Sequence, residues 1–193
     1  MQPKRSRREV THDRIVETAA RAIRRAGYAG VGVADIMREA GLTHGGFYAH
    51  FASRNALLAE AIERAGRDSA ARLDERTAAR LARGASPLRA LVELYLADAH
   101  LASTEQGCPV AALVSEMPRQ APEVQEASVA RVQKLVERVR AALPPGVPED
   151  RAPVIAGTLV GSLQIARALG DNARGRAVLA AARKALIADH DKP

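Results

Sequence analysis

Residues Val33–Phe51 read VADIMREAGLTHGGFYAHF, and the fold turns on how that stretch divides. Val33, Ile36, Met37 and Ala40 recur at i, i+3, i+4 and i+7, one apolar stripe of a short helix. Gly41 is a C-terminal stop, because glycine takes the left-handed conformation without strain. Leu42 plugs the turn and Thr43 is placed to cap a second helix. That second helix buries Phe47 and Phe51 and leaves Thr43, His44, Gly45, Gly46, Tyr48 and His50 for another surface. Two short helices joined by a glycine-containing turn form a helix-turn-helix, whose second helix enters a DNA major groove.

The surroundings of the motif fit that reading. Of the 193 residues only 3% are aromatic, and nearly every long segment has helical rather than alternating periodicity, so the expected class is all-α. The formal charge is +7. Residues 1–55 hold ten Lys/Arg against five Asp/Glu, while the remaining chain is nearly balanced. The excess sits where phosphate binding needs it. A single cysteine excludes an internal disulfide and fits a reducing cytoplasm. The N-terminus MQPKRSRREV has no apolar run behind it, so it is not a signal peptide. The longest apolar run, between Arg151 and Arg167, carries Thr158, Ser162 and Gln164 and falls short of the ~20 residues of a membrane span. A soluble, cytoplasmic protein is expected, without membrane, metal or cofactor.

In chain order, residues 1–10 form a basic arm that either touches DNA or is solvated. A first helix spans about Thr11 to Ala26, with Tyr28 packed under the motif. Ser53 caps a long helix to residue 81 that connects a small N-terminal domain, 1–52, with a larger one, 53–193. Proline and glycine breaks divide the second half into helices near 86–105, 108–118, 121–143, 150–169 and 172–188. The 150–169 helix is apolar nearly all round and must be covered all round. A second copy of the chain is the expected cover, with Gly157, Gly161 and Ala168 permitting close approach and Leu179 and Leu186 of the last helix contributing.

The stretch GYAGVGVADIMREAGLTHGGFYAHFASRNALL resembles the DNA-binding region of the TetR/AcrR family of transcriptional regulators. The residues carrying the resemblance are Ile36-Met37, Gly41-Leu42-Thr43, Gly45 to Phe51, and Ser53-Arg54-Asn55-Ala56-Leu57-Leu58. Met37 replaces the usual alanine and Gly32 the usual threonine cap. His44 stands where lysine or arginine is common, and Gly46 where threonine, serine or alanine is common. Each glycine costs roughly 1 kcal/mol of helix propensity. The resemblance implies that Thr43, Tyr48, His50 and Arg54 contact phosphates while His44, Gly45 and Gly46 face bases.

It also implies a homodimer on a palindromic operator, released by a small molecule held in an all-α C-terminal ligand-binding and dimerisation domain. Tyr95, His100, Glu116 and Gln164 are candidate polar contacts in that pocket, with Leu113, Met117 and Leu163 as walls. Cys108, between Gly107 and Pro109 at an expected helix N-terminus, is a candidate sensor of oxidants or electrophiles. An enzyme built on Cys108, His100 and Glu116 is the rival reading, and no oxyanion hole or fixed spacing supports it.

Overall fold

A computed structural model describes residues 6–191. Among them the chain is entirely helical: α1 (Arg7–Ala26), α2 (Val33–Glu39), a 3-10 recognition segment (His44–Ala49), α3 (Arg54–Leu81), α4 (Pro87–Tyr95), α5 (Asp98–Ala102), α6 (Pro109–Leu113), α7 (Pro122–Ala142), α8 (Arg151–Leu169) and α9 (Ala173–His190). A short 3-10 turn, Met117–Arg119, leads into α7.

The first helix starts four residues earlier than its apolar stripe suggests. Ser6 and Glu9 form a reciprocal capping box, each satisfying the other's backbone N–H, and this carries the helix into the basic arm. Arg7 and Arg8 are therefore helical, while Lys4 and Arg5 lie outside the described residues. Gly27 ends the helix at φ +76°, with the Glu116 carboxylate packed where a side chain would stand. The positive φ is what favours glycine there.

The long connector forms as its sequence indicates. Ser53 Oγ accepts the Ala56 N–H at 3.0 Å, and α3 runs unbroken for 28 residues. Leu57, Leu58, Ala61, Ile62 and Ala65 are buried against the N-terminal helices, and the second half of α3 lies against α7 and α4.

The segment expected as one helix over 86–105 is two. The chain bends at Leu96–Ala97 without glycine or proline, and side chains from elsewhere hold the bend open. Arg183 donates to the Leu96 carbonyl at 2.7 Å, and the His100 ring bonds the Tyr95 carbonyl at 2.7 Å. These are two of the carbonyls a helix end leaves without partners. The helix expected over 108–118 likewise shrinks to the single turn of α6.

At 19 residues, α8 is long and apolar enough to cross a membrane by length and composition, contrary to the reading from its length. It packs between α7 and α9, burying Ala152, Ile155, Ala156, Leu159, Val160, Leu163 and Ala166. The opposite face carries Val154 and Ile165, each 56% exposed, and Leu169, 44% exposed.

Candidate nucleic-acid interface and effector cavity

The turn before the recognition segment is closed by backbone bonds, Gly41 N–H to the Arg38 carbonyl and Leu42 N–H to the Met37 carbonyl, with Gly41 at φ +70°. Thr43 begins the segment through its carbonyl, which accepts the Gly46 N–H at 3.1 Å. Its side chain makes no capping bond, so the hydroxyl is exposed and free for another partner. With Gly45 and Gly46 side by side, the segment takes the tighter 3-10 form rather than an α-helix. Gly46 lies over Met37, close enough that a Cβ there would sit 3.7 Å from Met37 Cε. The two departures from the family pattern thus meet: the larger Met37 underlies the smaller Gly46.

Phe47 and Phe51 fasten the segment to the core, their rings stacked at 5.5 Å, with the His12 ring on Phe51 at 4.6 Å. Tyr48 meets Phe47 edge-on and is 73% exposed. His44, Gly45 and Thr43 share that exposed side. His50 is half-buried; burial, then the neighbouring His12 and Arg8, lower its pKa below the ordinary histidine value. Arg8 donates to the Ala49 carbonyl at 2.8 Å, so α1 brings its basic first turn against the end of the segment. The Ser6-x-x-Glu9 pattern was the available signal for that placement.

Arg54 is engaged differently from the expectation. Its Nη2 donates to the Tyr28 carbonyl and to the Val31 carbonyl at 3.1 Å, and Nε to Val31 at 3.4 Å. These bonds tie the start of α3 to the α1–α2 linker.

The C-terminal helices form a half-open cavity of about 570 Å³, between α3, the α4–α6 segment and α7. Tyr95, His100 and Cys108 line it as expected. Leu113, Met117 and Leu163 do not; they are buried in the core. Gln164 is half-buried on α8, outside the lining. Glu116 is elsewhere too: its Oε2 accepts the Tyr28 N–H at 2.9 Å, bridging to the N-terminal helices. Polar composition hid the wall contributed by α3, residues 66–76, because exposed arginines there read as a solvated connector.

His100 holds the cavity's loop. Its Nε2 accepts the Cys108 N–H at 3.0 Å while Nδ1 donates to the Tyr95 carbonyl, which fixes the neutral tautomer. Burial foremost, with Arg167, Arg76 and Arg72 nearby, lowers its pKa to about 4. Cys108 is 8% exposed and caps only the five-residue α6, too short a helix for a substantial dipole. The His100 nitrogens are committed and Glu116 is bonded elsewhere, so no Cys-His-Glu catalytic arrangement exists.

The same loop is held by the N-terminal helices. Arg24 of α1 donates to the Gly107 carbonyl at 3.1 Å, and Arg25 bridges Glu39 of α2 and Glu105 at 2.8 and 2.9 Å. Tyr28 adds its hydroxyl to Ser128 of α7 at 3.0 Å.

Residues 15–61, the span holding the exposed segment and its supports, match the family model "Bacterial regulatory proteins, tetR family". The chain carries a TetR-family DNA-binding domain at residues 15–61. Uncharacterized HTH-type transcriptional regulators of two Mycobacterium tuberculosis strains are 29% identical over 170 residues, covering 82% of this chain and 85% of each relative. Among solved structures, a TetR-family regulator of Agrobacterium tumefaciens superposes with TM-score 0.75 at 23% identity, over 95% of this chain and 98% of that one. The reduced form of Escherichia coli NemR follows at 0.73 and 19%, over 92% and 95%. With that domain, the protein is a DNA-binding transcriptional regulator and not an enzyme.

In this chain the residues expected at a dimer contact divide. Gly157 and Ala168 are exposed and Gly161 is half-exposed, with open space beyond both glycines. Leu179 and Leu186 are instead buried within the protomer, 0% and 6% exposed, because α9 turns them onto its own core.

Proposed function

We propose that the protein binds an inverted-repeat operator as a homodimer, acts as a repressor in the cytoplasm, and is released by a small molecule in the α3–α7 cavity. The observation that carries the reading is the contact at Gly107: a residue lining the cavity accepts its hydrogen bond from Arg24 of α1. A ligand that shifts the 103–108 loop acts on the DNA-binding helices through Arg24 and Arg25 as well as through α3. The effector must prefer the DNA-incompetent arrangement, and DNA then weakens the effector by the same factor. Functionally the chain divides into residues 1–52, which read DNA, and 53–193, which sense and dimerise.

Val154, Thr158, Gly161, Ile165 and Leu169 recur along one face of α8 and supply the apolar surface for a two-fold partner. Two partners place two recognition segments on successive turns of the duplex, about 10 base pairs apart. Thr43, Tyr48 and His50 contact phosphates, His44, Gly45 and Gly46 face bases, and Arg54 positions the linker. Tyr48→Ala is expected to weaken binding to every sequence by about tenfold, the worth of a hydrogen bond to a charged group. His44→Ala is expected to change sequence preference. Titration of selected and random duplexes checks both; an unchanged affinity for Tyr48→Ala removes it from the interface.

A second reading is favoured by the lining position of Cys108. Release then follows modification of the thiol by an oxidant or electrophile. Cys108→Ser distinguishes the readings: operator release by electrophiles that survives the substitution rules out the thiol.

A further inference from the structure

Buried hydrogen-bonding groups are nearly always paired, so those left over need an explanation. The Tyr95 hydroxyl, on a residue 2% exposed, has the Cys108 thiol, a weak partner, beside it and no oxygen or nitrogen within hydrogen-bond geometry, and it belongs to the cavity lining. Arg131 Nε, on the α7 wall, is buried without a hydrogen-bond partner among the described residues. Arg131 lies flat across Gly66 of α3, where any side chain would collide with it. Directly behind the lining, Arg167 spends Nη2 on the His100 carbonyl and leaves Nε and Nη1 unpartnered.

The charge around these atoms has one sign. Arg67, Arg72, Arg76, Arg131, Lys134 and Arg138 line the cavity against the single carboxylate of Glu75. Arg67 pairs with Glu63 and Arg138 with Asp74. Among the described residues, no carboxylate stands within ion-pair distance of the other four cations. Of the acceptors in the lining, His100 has both nitrogens occupied, which leaves the Glu75 carboxylate, the Gln106 amide and the Ser69 and Ser103 hydroxyls. The site therefore carries an excess of positive charge, while Ala70, Leu73, Leu94, Val110 and Leu135 make the rest of it apolar.

We propose that this cavity takes an apolar carboxylic acid bound as its anion, the carboxylate satisfying the Tyr95 hydroxyl and Arg131, the apolar body lying along α3 and α7. A carboxylate is acceptor-only and negative, which is the complement of the lining. A neutral alcohol gains nothing from the cations, and an ammonium meets them with like charge. The inference names the ligand class for the effector cavity and so rests on the reading of that cavity as a ligand site.

The test uses the full chain without DNA and a panel of straight-chain and aryl carboxylates, each paired with the alcohol and ammonium of the same skeleton. Isothermal titration is expected to find carboxylates that bind at least about tenfold tighter than both counterparts, the size of one charge-assisted hydrogen bond. Arg131→Gln should remove most of that preference. Tyr95→Phe should lower it similarly while leaving the melting temperature of the unliganded protein unchanged or higher, since the substitution removes a buried hydroxyl with only a weak partner. Alcohols or ammoniums binding as well as the carboxylates, or no carboxylate binding at all, overturns the proposal. Operator release is measured separately: a carboxylate that binds without displacing DNA overturns the effector reading and leaves the ligand class standing.

Discussion

Arg54 shows how a residue in a recognised motif can carry a task that its place in the motif does not announce. Its place beside the recognition segment suggested a phosphate contact, yet its Nε and Nη2 are spent on the Tyr28 and Val31 carbonyls. Arg54→Ala should lower stability by about 1–3 kcal/mol, the cost of leaving buried carbonyls without donors. The slope of DNA affinity against salt should stay unchanged; a slope shallower by about one charge with no loss of melting temperature restores the phosphate role. His100 titrates in a predictable direction as well. Its folded pKa, about 4, lies below the ordinary 6.5, so the unfolded chain takes the proton first as pH falls. Stability is expected to be constant above pH 6.5 and to decline between pH 6.5 and 4. Protonation also displaces the Cys108 N–H from Nε2. Melting temperatures across that window should flatten in His100→Asn, and an equally steep fall in the variant contradicts the assignment.

At the scale of elements, legibility followed the locality of the signal. The stretch 33–51, the Ser53 cap and the start of α3 were readable because periodicity, glycine stops and caps act within a turn or two. The 3-10 form of the recognition segment was foreshadowed by Gly45-Gly46 only as softness, since propensity does not choose between helix types. The bend at Leu96 was invisible: one of the bonds that hold it comes from Arg183 on α9, far along the chain, and the other from the His100 ring, whose partner apolar periodicity does not reveal. The same limit explains the cavity. Tyr95, His100 and Cys108 were found because they are chemically unusual, whereas the α3 wall looks like a solvated face until α7 stands opposite it. Glu116 was unusual too, and its partner proved to be a backbone amide of the N-terminal linker.

For the whole molecule, two surfaces and one internal route describe the account. In the proposed reading the segment 43–50 meets DNA and the α8 face meets a second copy; Arg24 and Arg25 join the cavity loop to the helices beneath the segment, and Tyr28 joins them to Glu116 and α7. Dimerisation and sequence reading are linked, because a segment with two glycines reads few bases and a two-fold partner doubles what is read. The glycines at 45 and 46 place weight on His44, Thr43 and the shape of the duplex. The most direct test is selection of binding sites from a random duplex pool, followed by footprinting of the enriched site at known protein stoichiometry. The account predicts an inverted repeat with half-sites about one helical turn apart, occupied by two chains, and its loss when Ile165→Glu breaks the α8 face. An enriched site without two-fold symmetry, bound by a single chain and indifferent to Ile165→Glu, would contradict it.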